Sequence, residues 1–378
     1  MAVLVGTEGK DNLAGQSGTG DTIIGRDGDD LLIAHAGSGA DYLEGDGGND
    51  HLVGNGGNDI LTGGADDDIL SGGAGADLLM GGSGSDLADY SAQAGVLQQG
   101  IIVDLAAGEG AGGDAQGDLL FGIENILGTS GADVLIGDDG ANAIHVGSDF
   151  FHAVDVVDAG GGDDTVTIGT AAAIVDGGAG EDRLIVTLAG TTGSTFTFAS
   201  GTTETGASFT HFEHVTITGT QATDTLYGGA GLDVLMGGAG RDYLRGGEGN
   251  DALLGGDGHD SLRGGGGDDR LEGGWGNDYL VGGTGADTFV FDALNSSRDR
   301  ILDFQAGADG DKIELSLARQ GAAEIHSFDD FIGHLTETDA GLYLDLSGAA
   351  PWPVGVLFEN MHISDFTADN LVLVDHLA

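Results

Sequence analysis

The chain has 378 residues, of which 63 are Asp or Glu and 11 are Lys or Arg, a formal net charge of -52. So acidic a polymer repels nucleic acid and anionic lipid headgroups, and the absence of cysteine removes disulfides and thiolate metal sites. Its 77 glycines against 2 prolines fall in no three-residue period, which excludes collagen, while 40% hydrophobic residues leave apolar material for a core.

The first segment, MAVLVGTEGKDNLAG, has neither a basic n-region nor a long apolar h-region, so no cleavable secretory signal is expected. No run in the chain approaches the ~18 consecutive apolar residues of a membrane span. Within residues 1–90 a nine-residue frame emerges, loosely at Asp11, Asp21 and Asp30, then strictly at Asp41, Asp50, Asp59, Asp68, Asp77 and Asp86. Two places after each strict Asp stands an apolar residue: Leu43, Leu52, Leu61, Leu70, Leu79 and Ala88. Residues 91–128 break the frame, contain IIVDL and end in FGIENILGT, and read as a β insertion. Residues 129–186 form a degenerate second array, in which Asp133 and Asn142 hold the frame and Asp164 and Asp182 stand eighteen apart with Ala173 between them.

A second β insertion, residues 187–219, contains TFTF and ends in FEHVTITG. Glu124 and Glu213 occupy matching places in the two insertions, which points to one duplicated element with structural carboxylates. Residues 220–290 hold the strictest array, with Asp224, Asp233, Asp242, Asp251, Asp260, Asp269, Asp278 and Asp287 each nine apart and Leu226, Leu235, Leu244, Leu253, Leu262, Leu271, Leu280 and Phe289 two places on. From 291 to 378 the glycine pattern fades and GLYLDLS alternates like a half-buried strand. Here Phe291, Phe304, Phe328, Phe331 and Trp352, with Phe289, supply aromatic material for a cap.

A Gly-Gly-x-Gly run forms a turn, and the following x-U-x tripeptide suits a very short strand whose middle side chain points inward. One such unit cannot bury its Leu alone, but a stack can. Two nonamers complete a coil of eighteen residues, so strands i and i+18 lie side by side. The expected fold is all-β: a parallel β-roll, a right-handed β-helix-like solenoid, in three arrays with β insertions and a C-terminal β cap.

That geometry stacks Asp carboxylates at about 4.8 Å along each edge, where two unit charges repel by roughly 3 kcal/mol at an effective dielectric of 20. The bases are too few to neutralise them, so a cation between turns is required. Calcium takes 6–8 oxygens in flexible geometry, carbonyls included, whereas magnesium keeps its waters and zinc prefers nitrogen or sulfur. The candidate ligands are Asp30, Asp41, Asp50, Asp59, Asp68, Asp77, Asp86, Asp133, Asp164, Asp182, Asp224, Asp233, Asp242, Asp251, Asp260, Asp269, Asp278 and Asp287. Asn142 and Ala173 remove charged ligands from the middle array and leave open whether it binds ions.

The nonamers resemble the RTX (hemolysin-type) repeat GGxGxDxUx, a recognised calcium-binding motif. The stretch GGTGADTFVFDALNSSRDRILDFQAGADGDKIELS is similar to the C-terminal end of RTX regions in serralysin-type proteases. The resemblance places Asp287 in the last loop and Asp299 and Asp303 near the closing strand. It implies multiple Ca2+ ions, export through a type I secretion apparatus, and an uncleaved C-terminal signal, to which DFTADNLVLVDHLA is similar.

No HExxH, GxSxG or Walker sequence occurs, so no catalysis is expected. The HFEH pair, His211 and His214, reads as exposed strand histidines. The expectation is a secreted, extracellular calcium-binding protein with an adhesive, matrix or surface role. Its expected partners are calcium and extracellular polysaccharide or a cell surface. The alternatives are an extracellular enzyme with a site in the insertions or cap, and a membrane-active exported protein.

Overall fold

A computed structural model describes residues 3–16, 20–92, 99–147, 154–169, 173–188, 193–198, 208–292, 298–307, 310–316, 325–346 and 355–374. Trp352 and residues 375–378 of the expected cap and signal lie outside them. The chain divides into two compact units, residues 1–185 with 205–212, and residues 186–204 with 213–378. Each is a parallel β-solenoid, as the eighteen-residue coil requires.

In the first unit successive strands alternate between two sheets. Thr22–Asp27, Tyr42–Gly47, Ile60–Ala65 and Leu78–Ser83 lie side by side in one, and Leu31–Ile33, His51–Val53, Ile69–Ser71 and Leu87–Asp89 in the other. Neighbours are parallel, Leu43 opposite Leu61 and Leu52 opposite Leu70. The consensus apolar residues Leu43, Leu52, Leu61, Leu70 and Leu79 are all 0% exposed and form the thin core between the sheets. Their sequence neighbours face outward because side chains alternate along a strand.

The first insertion widens one sheet. Glu109–Ala111 runs antiparallel to both Ile102–Asp104 and Leu119–Phe121. The rest of the segment rejoins the roll, with Leu119–Phe121 stacking in parallel on Leu78–Ser83 and Asn125–Leu127 on Leu87–Asp89. In the second insertion the described strands pair in parallel, Thr195–Thr197 with Thr225–Tyr227 and His214–Thr218 with Val234–Gly240. The two insertions thus differ in their pairing. What they share is the strand after Glu124 or Glu213, which in both is a roll strand.

In the second unit one sheet runs Thr225–Tyr227, Tyr243–Glu248, Ser261–Gly266, Tyr279–Thr284, Arg298–Ile301 and Gly355–Glu359, and the other runs Val234–Gly240, Ala252–Gly258, Arg270–Gly276, Thr288–Asp292, Lys312–Ser316 and Leu371–Val374. The turn between two nonamers shows why glycine recurs. Gly238 and Gly240 have φ of 100° and 136°, and a Cβ on Gly240 would lie 2.6 Å from the Ala222 carbonyl of the coil beneath. After the repeats the sheet closes with antiparallel strands Leu335–Thr338 and Gly341–Asp345, beside one short helix, Phe328–Gly333, capped by Ser327. Phe289 ends the Leu ladder and stacks into a cluster with Phe304, Phe358 and Phe366, ring centroids 5.1–5.9 Å apart.

Candidate metal centres

Every consensus Asp stands at the head of a roll strand, and all eighteen candidates are 3% exposed or less. Burial follows from the register. The turn brings the carboxylate back over the preceding coil, where one oxygen, Oδ1, accepts the backbone N–H of the Asp one coil earlier. In the third array Asp233 N–H donates to Asp251 at 3.0 Å, Asp251 to Asp269 at 2.8 Å and Asp269 to Asp287 at 2.9 Å. On the other edge Asp224 donates to Asp242 at 2.7 Å, and Asp242 to Asp260 and Asp260 to Asp278 at 2.8 Å each. The first array repeats this through Asp30, Asp50, Asp68 and Asp86, and through Asp41, Asp59 and Asp77. In the middle array Ile101 donates to Asp133, Asn142 to Asp164 and Asp164 to Asp182.

The second oxygen separates the candidates. In Asp30, Asp41, Asp50, Asp59, Asp68, Asp77, Asp86, Asp164, Asp242, Asp251, Asp260, Asp269, Asp278 and Asp287, Oδ2 is buried with no hydrogen-bond partner. In Asp133 and Asp224 it accepts from the backbone of Thr129 and Thr220 at 2.7 and 2.6 Å, and in Asp233 from Gly229 N–H at 2.7 Å. These last three stand at the start of their arrays, where a protein donor occupies the position that other turns leave to a ligand.

In Asp30, Asp50, Asp59, Asp86, Asp242, Asp260 and Asp269 the orphan Oδ2 faces a carbonyl oxygen across a space kept open by glycine. A Cβ on Gly237 would lie 2.6 Å from both Asp242 Oδ2 and the Gly255 carbonyl, and one on Gly54 would lie 2.6 Å from both Asp59 Oδ2 and the Gly72 carbonyl. Two buried acceptors converging with no proton between them are unfavourable, and a cation reverses the sign. Burial is the main force raising these carboxyls, partly offset by the backbone N–H they accept and reinforced by neighbouring carboxylates. Asp251 is pushed up to about 8, Asp59, Asp68, Asp164, Asp260 and Asp269 to about 7, and Asp50 and Asp77 to about 6.

Among the described residues no three His, Cys, Asp or Glu side chains converge. A bound ion would therefore be held by carboxylates together with backbone carbonyls. That all-oxygen, mixed donor set fits calcium and not zinc. When bound, the ion supplies the charge that lets the buried carboxylates remain ionised. His211 Nδ1 lies 2.6 Å from Asp176, and His214 Nδ1 accepts Leu232 N–H at 3.0 Å.

The ladders run further than the nine-residue frame. Asp118 accepts Asp77 N–H at 2.8 Å and Asp155 accepts Asp133 N–H at 2.9 Å. Asp299 and Asp311 accept from Asp278 and Asp287 at 3.0 Å each. Glu124 takes an Asp place, its Oε2 accepting Asp86 N–H at 2.8 Å. Asp21 is buried at the head of its own strand. The frame missed Asp118, Asp155, Asp299 and Asp311 because the loops before them change length. A signal remained in Asp-x-U, completed by Leu120, Val157, Ile301 and Ile313.

Stacked coils, Gly-rich turns and buried carboxylates facing carbonyls define a cation-binding β-roll. The profile of the RTX calcium-binding nonapeptide repeat matches residues 5–38, 17–52, 35–70, 53–88, 120–150, 218–253 and 254–289, and the chain belongs to that repeat family. Among solved structures it is similar to the AlgE6R3 subunit of the Azotobacter vinelandii mannuronan C5-epimerase, with 29% identity over 40% of this chain and 79% of that one and a TM-score of 0.24. It is also similar to the extracellular lipase LipA from Serratia marcescens, with 16% identity over 66% of this chain, 40% of the lipase's length and a TM-score of 0.26. No curated protein matches the chain. The family match ends at residue 289, so the likeness of the C-terminal unit to serralysin-type regions rests on the sequence resemblance alone.

Proposed function

We propose that this chain is exported, that extracellular calcium folds it, and that the folded roll serves as an adhesive, matrix or surface component. The observation that carries the reading is the ladder of buried, unpartnered Oδ2 atoms, seven of them facing a carbonyl across a glycine-made space. Without a cation, folding must bury many carboxylates that resist ionisation. In a cytosol poor in calcium that cost keeps the chain unfolded, the state a type I exporter accepts. Outside, calcium near the ~10⁻⁴–10⁻³ M affinities of extracellular modules supplies folding free energy, because it binds the folded state alone. We read the chain as non-catalytic, and calcium-dependent cleavage of an extracellular polysaccharide by the folded protein would overturn that part.

The test of the calcium step is a titration of metal-stripped protein followed by circular dichroism and calorimetry. The expected result is an expanded chain that gains β-structure cooperatively, and a chelated chain that keeps its full far-UV signal overturns the reading. For the surface role, the exported protein should sediment with cells in calcium and be released by chelator.

A further inference from the structure

The second unit carries an outer face unlike the rest of this acidic chain. On three adjoining strands, Tyr243–Glu248, Ser261–Gly266 and Tyr279–Thr284, the residues flanking each buried Leu are Tyr243 and Arg245, Ser261 and Arg263, and Tyr279 and Val281, with no acid among them. Tyr243 and Tyr279 are 38% and 43% exposed. Arg245 and Arg263 are direct cross-strand partners. Like charges so placed destabilise a sheet, and among the described residues neither guanidinium has a carboxylate partner, although acids outnumber bases 63 to 11. Both guanidiniums are exposed, so an anion lying across the pair would relieve the repulsion.

Cavities extend the face across the strands. At one end a space of about 350 Å³ is lined by Thr197, Tyr227 and Arg245, with Glu248 at its edge. Toward the other a space of about 560 Å³ is lined by Arg298, Arg300 and Tyr343, with the acids Asp299 and Asp345 also on its wall; Asp299 is buried and already accepts the Asp278 N–H. The Arg300 guanidinium, itself paired with Glu359, sits 5.5 Å from the centre of the Tyr279 ring, which links the row to this space.

We propose that this face binds a linear carboxylated polysaccharide lying across the strands. The assignment rests on the adhesive or matrix reading above and names its partner. Guanidiniums repeating at the ~4.8 Å strand spacing suit a polymer that presents one carboxylate per ring, each taken by a planar bidentate fork. The exposed tyrosine rings, Tyr243 and Tyr279, offer flat apolar faces to the sugar rings. An inorganic polyphosphate is the poorer occupant, because it has no ring to lie on the exposed Tyr243 and Tyr279.

The experiment uses the full chain folded in saturating calcium. Binding is measured to a short oligogalacturonate (too short to gel with calcium), to neutral dextran and to a single-stranded oligonucleotide. The oligogalacturonate should bind and dextran should not. The double variant Arg245→Gln/Arg263→Gln should lose about tenfold or more in affinity, Arg245→Lys/Arg263→Lys should retain part of it, and the calcium midpoint of folding should stay the same in both. Three outcomes overturn the proposal: no oligogalacturonate binding by correctly folded protein, equal binding by the Gln double variant, or tighter binding of the oligonucleotide. Each leaves the calcium-folded surface role standing, since that role fails separately, when the exported chain does not stay with cells in calcium.

Discussion

The two oxygens of Asp251 have different partners. Oδ1 takes the N–H of Asp233, while Oδ2 is buried and unpartnered. Asp251→Ala removes both the strut and the ligand, so its calcium midpoint should rise by about an order of magnitude, whereas Ala252→Ser, one residue on and facing outward, should move it little. Equal midpoints in a dichroism titration would refute the register. Acid should substitute in part for the ion. The Asp251 and Asp269 carboxyls hold protons up to about 8 and 7 in the ion-free roll, against an ordinary value of 3.8. Between those limits the folded chain binds more protons than the unfolded one, so ion-free stability is greatest below the ordinary value and is lost as pH rises through 6 to 8. Metal-stripped protein should therefore gain β-signal as pH falls from 8 toward 5, and its calcium midpoint should rise over the same range as protons compete. A β-signal that falls on mild acidification would contradict this.

At the scale of the turn, Gly255 matters for the space it leaves. Its backbone lies outside the left-handed region, yet a Cβ there would come within 2.6 Å of Asp260 Oδ2 and 2.5 Å of the Gly273 carbonyl. Gly255→Ala should then raise the calcium midpoint about as far as Asp260→Ala does. A normal midpoint in the Gly255 variant would place the ion elsewhere. The strand's inward residue acts through packing instead. Leu262 is 0% exposed, and Leu262→Ala should cost about 2–5 kcal/mol through lost burial and cavity formation. That loss should appear as a lower denaturation midpoint at saturating calcium, where the ion sites themselves are full.

Across the whole chain, ordering of the repeats depends on how their ends are closed, because an open roll exposes its Leu core and an unpaired strand edge. The second unit closes its Leu ladder with Phe289 and the cluster of Phe304, Phe358 and Phe366. In the first unit the inward-facing Leu4 of the strand Val3–Val5 is only half-buried, whereas Ile23 opposite it on the next strand is 0% exposed. A fragment of residues 220–378 should fold in calcium by itself, while residues 1–90 should need more calcium or stay disordered. Paired titrations of the two fragments decide this, and a first-array fragment that folds at equal or lower calcium would overturn the capping argument.

The coil length, the alternation of two parallel sheets, the Leu core and the stacking of the carboxylates were all legible in the sequence. A strict nine-residue period leaves a chain of this composition few ways to bury its Leu and space its Asp. Which carboxylates keep an orphan oxygen beside the one that accepts an N–H was not legible, since the N–H comes from the neighbouring coil. Nor could the period show that Asp118, Asp155, Asp299, Asp311 and Glu124 continue the ladders, because their loops differ in length and only through-space stacking restores the register. The Tyr and Arg face belongs to the same class. Arg245 and Arg263 are eighteen residues apart in the chain, and they become a like-charge pair only when the parallel sheet sets them side by side.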